Sequence, residues 1–321
     1  MAVNMDKPQR WKADIAESVD AFNRWFIAYA PAAFREQRRQ ATADVEDAMA
    51  KTSNLTAIGA DILATHPSIL PTLRMATCPP LARDRLVGLA GVSKNLVLTM
   101  DDEGLLPPRM RANELQVHLS RIGSIIGQLV DVDICPWIPD RHTPSKEEIH
   151  RAATVIADRL CGAVANPIIR NAQEKRQLGS IQTWLEERGY RALSAEEAKD
   201  PVDMAPGTFW FRMNVEAWMD DHGVNTVNIP VDAVIKGLSS KPDALPLFVE
   251  AKSAGDFTNM NKRRKEEAAK AQQLRRRYGQ QARFVLFLGG YFDSGYLGYE
   301  AAESIDWVWE HRIDDFAEFG L

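Results

Sequence analysis

Asp232, Glu250 and Lys252 are polar residues that folding alone does not require, set in two runs that otherwise read as buried strands. The runs, "NIPVDAVIK" (228–236) and "PLFVEAKSA" (246–254), flank a segment from Gly237 to Leu245 that holds Gly, Ser, Pro and Asp. Strand formers around turn formers predict a β-hairpin. If the hairpin turns about residue 241, paired residues have numbers summing to 482, and Asp232 falls opposite Glu250. Directly opposed side chains have Cβ atoms roughly 4.5–5.5 Å apart, where like charges destabilise a sheet. Something positive should lie between them. Side chains alternate along a strand, so Glu250 and Lys252 share a face and all three residues converge. Paired carboxylates beside a phosphate suit Mg²⁺, which is held by one or two carboxylates together with water and phosphate oxygens. The Lys252 ammonium would orient an attacking water or offset charge on the phosphoryl group in the transition state. Whether it acts as a base depends on its pKa, which burial lowers and carboxylates raise. Asp243 competes for the role of first acid, but it lies seven residues before Glu250, about 23 Å away along an extended strand.

These residues need a sheet to hold them, and the rest of the chain supplies one. Residues 207–217, 225–236, 246–254 and 282–290 are strand-like, with a basic helix expected over about 259–278. A three-strand meander, a helix and a further strand describe an α/β (α+β) domain with a mixed central sheet flanked by helices. The first 140 or so residues instead repeat apolar positions at three and four, as in Ile15, Val19, Phe22 and Phe26, which predicts an all-helical N-terminal domain with Pro31 interrupting its first helix. Pro136, Pro139 and Pro144, followed by Ser145 and Glu148 at capping-box spacing, mark the expected boundary. The division is therefore 1–140 and 141–321. Further helices are expected up to Pro167 and from there to Gly189, a natural C-cap. The glycine-rich "GGYFDSGYLGY" (289–299) opens no clear phosphate-cradling helix and reads as a loop.

With 321 residues, a net charge of −5 and a pI near 5.8, the chain has room for two cores and lacks the overall basic charge common in nucleic-acid binders. Locally the balance reverses: Lys262 to Arg277 holds eight basic residues against Glu266 and Glu267. Cys78, Cys135 and Cys161 have no CxxC spacing, which argues against a disulfide framework or a zinc site and fits a reducing cytoplasm. The N-terminus has no signal-peptide pattern, and no apolar run of bilayer length is expected. The histidines show no HxH or HExxH spacing, and there is no Walker motif. His311, in an aromatic run, reads as structural.

Asp232 with Glu250-Ala251-Lys252, followed by a basic helix, resembles the PD-(D/E)xK nuclease core. The wider text, "PTLRMATCPPLARDRLVGLAG" (71–91), "DVDICPWIPDR" (131–141), "RNAQEKRQLGSIQTWLEERGY" (170–190) and "GGYFDSGYLGYEAAESIDWVWEHRIDDF" (289–316), is similar to the XamI-type restriction endonucleases. The resemblance spans most of the chain. It implies a restriction-endonuclease-like core and a type II enzyme of the bacterial or archaeal cytoplasm. Such an enzyme hydrolyses both strands of a short palindrome in double-stranded DNA with Mg²⁺, usually as a homodimer, alongside a cognate methyltransferase and without a membrane. It also implies Asp232 and Glu250 as metal ligands and Lys252 as the water-orienting group. Val231 stands where the motif's name puts Pro, and Pro230 is one step early.

Glu174, on the helix entering the catalytic domain, is the candidate extra acid; beside Lys175 and Arg176 it also reads as part of a solvated face. Arg170, Asn171, Arg176 and Gln177 on that helix are candidates for phosphate or base contacts. Lys262, Arg263, Lys270, Arg275 and Arg276 are candidates to neutralise phosphates, with salt-dependent binding as the result. Arg74, Arg83 and Arg85 in the helical domain are able to read guanines bidentately, but Asp84 beside Arg83 and Arg85 also allows a local salt bridge, and base readout is not assigned to them. Two other readings stay open: a nuclease of the same core outside restriction, and a silent DNA-binding module.

Overall fold

The computed structural model describes residues 2–194, 197, 200–241, 243–257 and 260–321; the side chains of 164–166 and 260–263 lie outside that description. Two compact units form, one of residues 30–169 and the other of residues 1–29 with 170–321. Residue 140, the expected boundary, falls within the first of these. The division instead falls inside the two longest helices.

The first unit is helical. It comprises most of α1 (Pro8–Lys51), then α2 (Ala60–Thr65), α3 (Leu70–Met75), α4 (Arg83–Ala90), α5 (Lys94–Asp102), α6 (Ala112–Leu129), α7 (Trp137–Asp140) and the first half of α8 (Lys146–Glu186). Its core gathers Val45, Leu63, Leu73, Leu96, Ile122, Ile126, Trp137 and Ile156, all fully or almost fully buried. Arg74, itself buried, meets Asp101 through Nε at 2.9 Å and Nη2 at 2.7 Å, and Arg83 binds Asp101 and Asp102. Arg74 and Arg83 thus take partners within the fold, though not Asp84, which pairs with Lys94.

Two prolines expected to end helices do not. Pro31 lies inside α1 and Pro167 inside α8. Ser145 and Glu148 do form the reciprocal cap that starts α8: Ser145 N donates to Glu148 Oε2 at 2.8 Å and Glu148 N to Ser145 Oγ at 3.2 Å. Helix α8 is also long and apolar enough to cross a membrane by length and composition, contrary to expectation. Its Ile156, Leu160, Ile181 and Leu185 are buried in the cores, as in any core helix.

The second unit is built on a sheet. Among the described residues six strands run in the order β1 (Arg191–Ala192), β2 (Thr208–Trp218), β3 (Thr226–Lys236), β4 (Leu247–Ala254), β5 (Arg283–Gly290) and β6 (Asp306–Trp309). β2, β3 and β4 are antiparallel neighbours, whereas β4, β5 and β6 run parallel. The mixed sheet is the expected class. Helix α9 (Met260–Tyr278) makes the crossover from β4 to β5, and α10 (Ser294–Ala302) the crossover from β5 to β6. α10 occupies the expected glycine-rich loop. Its N-cap is Asp293, whose carboxylate accepts the Tyr296 N–H at 2.7 Å.

One sheet face packs on α8 through Leu178, Ile181, Trp184 and Leu185, the other on α9 and α10 through Ala271, Leu274, Tyr296 and Leu297. The β2–β3 ribbon changes sides partway. Phe209 and Phe211 with Ala233 and Ile235 belong to the α8 face, whereas Met213 and Val215 with Val231 and Ile229 belong to the α9 face. All eight are odd-numbered, and the paired numbers keep a constant sum across the change, from Phe211↔Ala233 to Met213↔Val231. The side-chain period is two, so only a local rotation of the ribbon reverses the face without a register slip. That rotation sits at Arg212, whose φ of 54° is left-handed, and at Asp232, the position across from it.

The segments at the two chain ends meet in this unit. The Asp306 carboxylate of β6 accepts the N–H groups of Val3, Asn4 and Met5, and Asn4 Nδ2 donates to the Trp307 carbonyl at 2.8 Å.

A left-handed backbone costs a non-glycine residue about 1–2 kcal/mol. Arg212→Gly is therefore expected to be more stable than Arg212→Ala by about 1 kcal/mol, the reverse of the order at an ordinary strand position such as Asn214. Urea unfolding of the four variants measures both differences; Ala above Gly at position 212 would remove the rotation from Arg212.

Candidate active site

The β3–β4 ladder pairs Ile235↔Leu247, Val234↔Phe248 and Ala233↔Val249, so its numbers sum to 482 as the hairpin reading requires. There the ladder stops. One step on, the backbone partner of β4 is replaced by a side chain: Asp232 Oδ2 accepts the Ala251 N–H at 2.8 Å. Asp232 thus faces Glu250 at the point where β3 rotates away from β4.

Glu250 is buried, and its Oε1 accepts from two ammonium groups, Lys252 Nζ at 2.8 Å and Lys270 Nζ at 2.6 Å. Lys270, from α9, also donates to the Pro230 carbonyl at 3.2 Å and so spans both strands at their divergence. The positive charge that two facing carboxylates require comes from these lysines. Glu250 Oε2 is buried without a hydrogen-bond partner.

The charges tune one another. Burial, followed by the like charge of Glu250, pushes the Asp232 carboxyl up to about 6, against the pull of the Ala251 N–H, Lys252 and Lys270. Burial disfavours the Lys252 ammonium, but Glu250, Glu267 and Asp232 outweigh it and hold the pKa above the ordinary lysine value. Lys252 is therefore a charged donor at neutral pH, which favours orientation and charge stabilisation over a role as base.

Asp243, the competing acid, lies in the β3–β4 turn near Lys236, whose pKa it helps to hold up against burial. Glu174 pairs with Arg212 at 2.6 Å, both side chains largely exposed. Gln177 is 1% exposed and donates through Nε2 to the Lys252 carbonyl at 3.2 Å and the Phe287 carbonyl at 3.4 Å. It braces β4 and β5 from behind and does not face solvent. Arg176 pairs with Glu310 at 2.8 Å and stacks over Trp25. Gly289 keeps this brace in place, because a Cβ there would meet Glu310 Oε2 at 2.3 Å and Gln177 Nε2 at 3.1 Å.

Arg170 and Asn171 are exposed on α8. Arg275 donates to the Glu303 and Ser304 carbonyls, and Arg276 to the Met219 carbonyl and Asp221. The side chains of Lys262 and Arg263 lie outside the described residues. His311 is buried, and that burial lowers its pKa. Sequence reasoning did not single out Glu267, which reaches the site from α9 within 3.9 Å of Lys252. Its near-complete burial contradicts the solvated look of "KRRKEE"; its i, i+4, i+7 spacing from the apolar Ala271 and Leu274 was the available signal.

Two opposed carboxylates and a charged lysine where strands part, on a mixed sheet with a basic helix against it, are groups able to hold a divalent cation beside a phosphate. Comparison with known proteins supplies the class. The chain belongs to the XamI restriction endonuclease family, whose sequence profile matches residues 53–309. It is 50% identical over 318 residues to the type II restriction enzyme SalI of Streptomyces albus G, an alignment covering 99% of each chain. No solved structure gives a significant match. The protein is a type II site-specific deoxyribonuclease.

Asp232→Asn keeps an acceptor for the Ala251 N–H and removes the charge. The folded carboxyl titrates at about 6, above its ordinary 3.8. Its stabilising effect is thus full below pH 3.8 and lost as pH rises through 6, leaving a destabilising charge above that. The variant is expected to exceed wild type in stability by roughly 1–3 kcal/mol at pH 8, with the gap closing from pH 6 towards 4. Urea unfolding at several pH values tests this; a gap independent of pH would exclude the charge as its cause.

Proposed function

We propose that the enzyme hydrolyses both strands of a short DNA palindrome with Mg²⁺, using a PD-(D/E)xK-type centre in which Asp232 and Glu250 hold the cation and Lys252 directs the attacking water. The observation that carries this reading is the unsatisfied, buried Glu250 Oε2 beside the Asp232 carboxylate. Two anionic groups held together at the cost of a raised pKa fit a divalent cation, which binds through one or two carboxylates with water and phosphate oxygens. When bound, the cation supplies positive charge beside the scissile phosphate.

The chain's own residues do the rest. Lys252 stays protonated and hydrogen-bonds the attacking water or a phosphate oxygen, orienting one and neutralising the other. Lys270 sits beside it on Glu250 Oε1 and adds a second positive group against the DNA backbone. Arg170 and Asn171, exposed on α8, extend the phosphate contact, and Lys262 and Arg263 are proposed for phosphate contact from their basic sequence alone. Arg176, Gln177, Arg275 and Arg276 keep a supporting part through their protein contacts. Glu174 enters the centre only on release from Arg212.

A two-fold homodimer matches a palindromic site, each copy cutting one strand. The helical unit would contribute recognition or dimerisation, and a methyltransferase of matching specificity would protect cytoplasmic host DNA.

Unmethylated plasmid and phage DNA, incubated with wild type or Lys252→Ala in Mg²⁺ or chelator, tests the centre. Wild type is expected to give discrete fragments in Mg²⁺ only, and sequencing of their ends reads the site. Lys252→Ala should slow cleavage roughly 10²–10³-fold, as removal of one transition-state donor does, with duplex affinity in chelator unchanged. Wild-type cleavage by the variant would remove Lys252 from the chemistry. A wild-type protein that binds DNA and never cuts would favour the silent module.

A further inference from the structure

Close to Lys252 lies a buried acidic group that the cleavage reaction leaves unassigned. Glu267 is 1% exposed, from the second turn of α9. Its Oε2 accepts the Tyr296 hydroxyl of α10 at 2.7 Å. Its Oε1 is buried and stands 3.9 Å from Lys252 Nζ. Glu300, also fully buried, lies next to it, and burial with the Glu267 charge pushes the Glu300 carboxyl up to about 9. Burial pushes the Glu267 carboxyl up as well, against the pull of Lys252 and the Tyr296 hydroxyl, and Glu267 is the member of the pair that faces the ammonium.

A buried carboxylate is costly unless matched by a cation and hydrogen bonds. Here the cation is Lys252, and Arg264 acts on the pair from the Glu300 side. The Lys252 ammonium has three protons. One is donated to Glu250 Oε1 at 2.8 Å, Glu267 attracts the ammonium from α9, and the remaining direction is open to a water or a phosphate oxygen. A lysine on a flexible four-carbon stem has no fixed direction of its own. Two anions from different elements, β4 and α9, give it one.

We propose that Glu267 is a positioning residue for cleavage, holding the charged Lys252 head against α9 so that its free N–H is aimed at the reacting group, with Tyr296 fixing the Glu267 carboxylate in turn. This rests on Lys252 taking part in the chemistry. Glu267 touches no DNA; its effect passes through Lys252.

A double-mutant cycle tests it: single-turnover cleavage of a duplex carrying the site by wild type, Glu267→Gln, Lys252→Ala and the double variant, with duplex affinity in chelator and urea stability measured alongside. Glu267→Gln preserves shape and the Tyr296 hydrogen bond while removing the charge. It is expected to slow the cleavage step about 10- to 100-fold, as loss of an outer-shell partner does, with affinity within about twofold. In the Lys252→Ala background the same substitution should have almost no further effect. Tyr296→Phe, which leaves Glu267 buried but less fixed, should give a smaller loss that also vanishes without Lys252. Equal losses in both backgrounds, a loss confined to affinity, or unaltered cleavage by Glu267→Gln would each overturn the proposal. Full activity of Lys252→Ala would instead show that the reading of Lys252 had failed.

Discussion

The parting of β3 from β4 after Ala233↔Val249 is the constraint on which the centre depends. A ladder continuing past this pair would engage the Ala251 N–H with backbone and turn Asp232 into one more strand residue. Instead the carboxylate takes that N–H, which satisfies a buried donor and brings a negative charge into the seam between strands. The rotation at Arg212 and Asp232 allows this, and the same rotation delivers the outer half of the ribbon, with Met213, Val215, Ile229 and Val231, to the α9 core. Core and centre are consequences of one backbone event.

Charge balance then determines what the seam can hold. Asp232, Glu250 and Glu267 stand against Lys252 and Lys270, with burial and the Glu267 charge pushing Glu300 towards its neutral form. Both lysines donate to a single oxygen, Glu250 Oε1, and the other oxygen of that carboxylate is buried without a hydrogen-bond partner. A buried polar cluster of this kind is costly for the folded state, and enzyme centres commonly retain such costs because they serve the reaction.

Much of this was legible in the sequence because it is governed by short-range rules. The strands of 208–218, 226–236, 247–254 and 283–290 follow their β-branched and aromatic runs to within a residue, and the hairpin register follows from where its turn residues sit. The Ser145–Glu148 cap is likewise local. Pro31 and Pro167 misled the reading because each helix has a long apolar face on either side of its proline, and packing outweighs one lost hydrogen bond. The face reversal could not be read at all: Arg212 has no compositional mark of a left-handed residue, and the alternation around it looks regular in either phase. Gln177 and Glu267 were hidden for a related reason. Each lies in a charged helical stretch that looks solvated, and Glu267 is marked as inward only by its helical spacing from Ala271 and Leu274.

The bond network around Asp306 sets an order on the protein's synthesis. Residues 3 to 5 are made some 300 positions before their partner on β6, Asp306. The helical unit, residues 30–169, lies wholly between them in sequence, and such units generally fold as they emerge. The β6 edge of the sheet cannot be closed by residues 3 to 5 until Asp306 has followed, and that delay is a property of topology that no single side chain could provide.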